Sequence, residues 1–243
     1  MMNRVETFAV SIPDASPEAR LVALSAPESA AAEQFRLLLH RLDRLGEKRP
    51  LRVLAVTSAA RGEGRTTTAA NLALTAAAEG RPTVLVEADL RRPTLAGILG
   101  LVPRAGLAEV LAGTAELAEA DGRLGALGVL CAGAARDPSA TLRSARAGTV
   151  IEALRAAYAL VVLDAPPALA FADGDRLAAA ADASVLVVRA RATPREVVRL
   201  ALDALGDRVA GIVLNAVDAD ASIHGRWLYP EPPATPAKPR ETG

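Results

Sequence analysis

The sequence predicts an α/β fold, a mainly parallel sheet with helices on both faces, and three observations carry that prediction. Short apolar runs alternate with longer stretches of helical periodicity, the order expected of βα units. The runs are apolar throughout, as strands buried on both faces are. A glycine-rich turn separates the first central run, "LRVLAVT", from the helical stretch after it. With 243 residues, 51% of them hydrophobic, the chain is long enough to bury a substantial core in one large domain.

Residues 1–25 are mixed in character and carry Pro13 and Pro17, which predicts a flexible N-terminal arm. From Pro27 the apolar positions Phe35, Leu38, Leu39, Leu42 and Leu45 fall at helical spacing up to Gly46, with Ser25 as the candidate cap. After Pro50 come the strand "LRVLAVT", a helix from about Thr66 to Glu79 ending at Gly80, and the strand "TVLVEAD". Further strands are read in "GVLCAG", "LVVLDAPP", "SVLVVRA" and "VAGIVLNAV", with helical patterns near 140–156, 174–181 and 194–205. The ordered domain is thus placed at 26–218. Residues 219–243 lose the pattern and hold Pro230, Pro232, Pro233, Pro236 and Pro239, the composition of a disordered tail.

Lys plus Arg number 28 and Asp plus Glu number 28, so no net charge draws the chain to nucleic acid or an anionic membrane. Cys131 is the single cysteine, which excludes an intrachain disulfide and a cysteine metal cluster and suits a small buried side chain. Glu6, Asp14, Glu18 and Arg20 interrupt any leader-like pattern, and no uncharged run reaches bilayer-spanning length. A cytoplasmic protein without direct membrane insertion is expected.

The segment "SAARGEGRTTTAANLAL", Ser58 to Leu74, has the spacing of a phosphate-binding loop at a strand end. Gly62 and Gly64 permit backbone angles that other residues avoid, the Thr66 hydroxyl suits Mg²⁺, and Thr67 suits a phosphate. Two positions depart from the Walker A pattern. Ala59 occupies the first glycine position and Arg65 the lysine position, where a wide guanidinium replaces a compact ammonium and threatens catalysis more than binding. Taken alone, the segment could be a simple strand-to-helix turn. Carboxylates at other strand ends argue against that: Glu87 and Asp89 close "TVLVEAD", and Asp164 closes "LVVLD". Phosphoryl transfer to a hydroxyl needs carboxylates that hold Mg²⁺ and one that accepts a proton.

The loop from Ser58 to Ala73, with "VLVEADLRRP", "GLAEVLAG", "YALVVLDAPP" and "VAGIVLNAV", resembles the cytoplasmic bacterial tyrosine kinases of exopolysaccharide biosynthesis, which use a deviant Walker, P-loop NTPase fold. The likeness covers roughly residues 25–218. It implies that Ala60, Arg61, Gly62, Glu63, Gly64, Arg65, Thr66 and Thr67 wrap the phosphates of ATP, with Mg²⁺ on Thr66, Asp89 and Asp164. It implies catalytic roles for Arg65, Glu87, Asp89 and Asp164, with Glu87, in place of the family's Asp, accepting the tyrosine proton and Arg91 completing the motif. Asn215 resembles an adenine-contacting residue, with a turn-forming Asn as the alternative.

The resemblance also implies a ring-forming role for residues 27–45. Glu33 and Arg36 fit it, while Leu39-His40-Arg41 departs from the Arg-Thr-Asn of many members; the alternative is an amphipathic helix packed on its own domain. A separate transmembrane activator or polysaccharide co-polymerase is the implied partner, recruiting the chain to the inner face of the plasma membrane. Tyr229 is the candidate phosphoacceptor, whereas Tyr158 reads as structural. Two other functions stay open, a catalytically degenerate nucleotide-binding switch and a partitioning-type ATPase. The second conflicts with Ala60, where those relatives carry a lysine, and with the proline-rich tail.

Overall fold

The structure, a computed structural model, describes residues 8–13, 21–47, 50–170 and 180–217. In chain order the elements are β1 (Phe8–Pro13), α1 (Val22–Ser25), α2 (Ala30–Gly46), β2 (Val53–Ser58), α3 (Arg65–Ala78), β3 (Thr83–Glu87), α4 (Leu95–Leu99), α5 (Leu107–Ala112) and α6 (Leu117–Ala120). There follow β4 (Gly122–Leu124), β5 (Leu127–Leu130), α7 (Pro138–Leu142), α8 (Arg146–Ala157), β6 (Leu160–Asp164), β7 (Ala183–Arg189), α9 (Arg195–Leu205) and β8 (Val209–Val217). One sheet runs β1-β8-β7-β2-β6-β3-β5-β4. Its pairings are parallel except β4 with β5.

Every residue of β2, β3 and β6 is buried, as their unbroken apolar runs require of central strands covered twice. The period of two splits them between two cores. Leu54, Val56, Leu85 and Val162 face α2 and α3, where Phe35, Leu38 and Leu72 are nearly inaccessible. Val53, Ala55, Val84 and Leu163 face α5 and α8 through Leu107, Val110, Ile151 and Leu154. Leu186 and Val188 meet α9 at Ala201 and Leu205. The alanines of α3 have a use: Ala69, Ala70, Ala73 and Ala76 are wholly buried, and their short side chains let this helix lie close on the sheet between β2 and α2.

Three sequence expectations change. Residues 8–13, expected in a loose arm, form a parallel edge strand, with Phe8 opposite Gly211 and Ile12 opposite Asn215. An edge strand pairs on one side only, so it needs no continuous apolar run, and Pro13 can close it. The cap of α2 is Ser29, whose hydroxyl accepts the Ala32 N–H at 3.2 Å, and not Ser25. The 140–156 helix is two helices, because Asp137 caps α7 and the chain turns again at Arg143 before α8. Most of the pattern near 174–181, the 219–243 tail and Tyr229 lie outside the described residues. Among those described, no helix is long and apolar enough to cross a membrane.

Candidate functional site

The carboxyl ends of β2, β6 and β3 are adjacent at the middle of the sheet, where ligands of open α/β folds collect. β2 delivers the glycine loop, β6 delivers Asp164, and β3 delivers Glu87 and Asp89. Gly62 and Gly64 have φ of 76° and 85°, and a Cβ on Gly64 would lie 1.9 Å from Asn215 Nδ2. Both conformation and space therefore demand glycine at position 64. The Gly64 carbonyl accepts the Thr68 N–H at 2.9 Å, so α3 begins at the loop and its first amides face the concavity. Ala59 is buried beside Ala168 and Leu186, which absorb the methyl at the first glycine position.

Glu63 braces this loop from within. Its side chain is buried; Oε2 accepts the Ala60 N–H at 3.0 Å and Oε1 accepts the Thr193 hydroxyl. The Glu63 carbonyl accepts from Asn215 Nδ2 at 2.9 Å. Asn215 thus lies within β8 against the loop, not in a turn. The Glu63 carboxylate is thus engaged on both oxygens, by Ala60 and Thr193.

Arg65 lies across the acids. Its Nε donates to Asp164 Oδ1 at 2.9 Å and Nη2 donates to Asp89 Oδ2 at 2.8 Å. Asp164 is fully buried, and its Oδ2 has no hydrogen-bond partner. Burial pushes the Asp164 carboxyl up to about 6, against the opposing pull of the Arg65 guanidinium and the Thr66 hydroxyl. A buried, unpartnered carboxylate oxygen beside a threonine hydroxyl is a donor pair that fits a hard cation such as Mg²⁺. The residues present therefore suit the metal that the fold implies.

Glu87, the expected proton acceptor, has both carboxylate oxygens bonded to backbone amides. Its carboxylate is 1% exposed; Oε1 accepts the N–H groups of Thr94 and Leu95, the latter at 2.7 Å, and Oε2 accepts the Ala132 N–H at 3.1 Å. It staples the segment after β3 to the start of α4 and to the end of β5. Cys131, next to it, is buried, and burial followed by the Glu87 charge pushes its thiol up to about 11, as an inert core cysteine requires.

Glu109 was missed by sequence reasoning. It accepts the Gly106 and Ala134 N–H groups at 2.8 and 2.9 Å; burial alone would raise its carboxyl, but those amides hold it below the ordinary value. A Cβ on Gly106 would lie 2.3 Å from the Gly133 nitrogen. The Gly-x-x-Glu spacing in "GLAEVLAG", in which the glutamate reaches back to the N-cap amide as in half of a capping box, was the available signal. Tyr158 is structural as read: its ring lies against Gly128 and its hydroxyl donates to Asp121 at 3.2 Å.

The chain is 33% identical over 215 residues to the tyrosine-protein kinase YwqD of Bacillus subtilis, which spans 86% of this chain and 90% of that protein. The chain belongs to the bacterial tyrosine-protein kinases. This kinase relative is also 32% identical over 202 residues to the tyrosine-protein kinase CpsD of Streptococcus pneumoniae, covering 80% of this chain and 88% of CpsD. It is 33% identical over 220 residues to the succinoglycan biosynthesis transport protein ExoP of Rhizobium meliloti, matching 86% of this chain but only 28% of that longer protein. No family model matches it.

Among solved structures, the kinase domain of the Escherichia coli tyrosine kinase ETK superposes with a TM-score of 0.82 at 27% identity, over 88% of this chain and 91% of that one. The septum site-determining protein MinD of Pyrococcus horikoshii, complexed with Mg-ADP, superposes at 0.57 with 25% identity, over 68% of this chain and 70% of its own. The α/β P-loop fold expected from the sequence is the fold of this bacterial tyrosine kinase relative.

Proposed function

We propose that this chain binds Mg²⁺-ATP at the loop of residues 60–67 and transfers the terminal phosphoryl group to tyrosine, in the control of exopolysaccharide or capsule export. The observation that carries this reading is the cluster at the loop mouth: Arg65 on Asp89 and Asp164, with one buried Asp164 oxygen open. Asp164 and Thr66 would hold the cation. Bound Mg²⁺ would neutralise charge on the transferring group. Arg65, turned from the acids to the phosphates, would supply the Walker A charge as a fork. Asp89, freed by that turn, is the carboxylate left to take the tyrosine proton, since both Glu87 oxygens are engaged. Asn215, already against the loop, is the proposed adenine contact.

The relative ExoP is named as a biosynthesis transport protein, and this supports a membrane co-polymerase as partner and the cytoplasmic face of the membrane as the place of action. Incubation with Mg²⁺-ATP, with and without the cytoplasmic tail of such a partner, should yield phosphotyrosine that Asp164→Ala abolishes. A Tyr229→Phe variant that labels normally assigns the acceptor to the partner. Absence of phosphotyrosine under both conditions refutes the kinase reading.

A second reading, a nucleotide-operated switch without transfer, is favoured by the two-acid grip on Arg65. Lysine cannot bridge both carboxylates as this guanidinium does. Under the kinase reading wild type turns over well and Arg65→Lys changes the rate by less than about tenfold. Under the switch reading wild type turns over no faster than Asp164→Ala, and Arg65→Lys restores transfer.

A further inference from the structure

Charges at the carboxyl edge of the sheet lie in two layers. The acids are turned inward: Asp89 and Asp164 onto Arg65, Glu87 onto backbone amides, Glu63 into its own loop. Apart from Arg65 and the half-buried Arg91, the arginines at this edge are exposed. β6 separates the phosphate loop on β2 from β3 and β5, so a phosphate acceptor approaching from the side opposite the loop passes the segments after those two strands. There Arg92, Arg136 and Arg143 are exposed. The Arg91 guanidinium donates to the Ser139 hydroxyl, which fastens the segment after β3 to α7, between Arg136 and Arg143. In residues 88–94 and 131–146 the sole acids are Asp89, held by Arg65, and Asp137, which caps α7 through the Ala140 N–H at 3.0 Å.

We propose that this rim binds an acidic peptide, so that the tyrosine taken as substrate is one flanked by Asp or Glu. The transfer half of this inference rests on the kinase reading; the binding half does not. Exposed cations of one sign around a buried site attract an opposite charge and orient it as it arrives. The chain's own Tyr229 does not fit: residues 224–243 hold Arg226, Lys238 and Arg240 against Glu231 and Glu241. The preferred acceptor belongs to a second protein.

The test uses the full chain with Mg²⁺ and a non-hydrolysable ATP analogue, and fluorescent tyrosine peptides that differ only in four flanking Glu, Gln or Lys residues. Fluorescence anisotropy should show the Glu peptide binding about tenfold tighter than the Gln peptide, the effect of a few exposed ion pairs, with the preference shrinking as salt rises. The triple variant Arg92→Glu, Arg136→Glu, Arg143→Glu should reverse the order in favour of the Lys peptide, with its circular dichroism unchanged. With ATP itself, the same ranking should be seen in KM while kcat moves little. Equal binding of all three peptides, or a preference that survives the triple variant, overturns the rim. Selective binding without any phosphotyrosine keeps the rim and removes the kinase reading.

Discussion

Glu87 reaches one methylene further than an aspartate, and that length brings its two oxygens to the amides of Thr94, Leu95 and Ala132. The resemblance implies Asp at this position. Glu87→Asp should nonetheless lower stability by about 2 kcal/mol, because a shorter carboxylate leaves buried amides unpaired. Urea denaturation measures this as a lower midpoint; a midpoint equal to wild type removes the stapling role. The same logic separates the acids that the sequence could only group together. Glu87, Asp89 and Asp164 are equivalent as letters at strand ends, but one is closed by backbone amides, one pairs with Arg65, and one keeps an oxygen open. Nothing local to "VEAD" signals that Ala132, 45 residues downstream, supplies a partner.

At the scale of elements, the central strands and the glycine loop were legible because each writes its burial into a short continuous stretch. Contacts between distant elements were not legible. Glu63 meets Thr193 and Asn215, which lie 130 and 152 residues away. Asp182 is a comparable joint at the opposite end of the sheet. It accepts the Arg52 and Val53 N–H groups, both at 2.8 Å, and the Arg155 guanidinium at 2.8 Å, joining β2, β7 and α8. Burial alone would raise its carboxyl, but Arg155 and the two amides more than offset this, so its folded value lies below the ordinary one. A depressed carboxyl contributes stability that is present above about pH 4 and is lost as pH falls through the folded value. Asp182→Asn should therefore cost about 1–2 kcal/mol at pH 7 and progressively less as the pH falls below about 4, as thermal denaturation across that range will show.

For the whole molecule, the unexpected feature is the border formed by β1. It covers the outer side of β8 by backbone pairing from Phe8 to Pro13, and composition hides it because pairing of this kind needs no side-chain signature. Removing residues 1–13 should bare the β8 edge, lower the melting temperature by several degrees and raise the tendency to self-associate. Differential scanning calorimetry and light scattering check both outcomes, and a shortened chain with unchanged association state and melting temperature shows the border to be dispensable. Glu63 gives the molecule a further property. A turn clamped by the start of one helix and the rim of a second strand is shaped when the chain folds, before any ligand arrives. Its order does not wait on a ligand, so under the proposed function nucleotide docking would have to move the Arg65 guanidinium off Asp89 and Asp164 rather than build the loop.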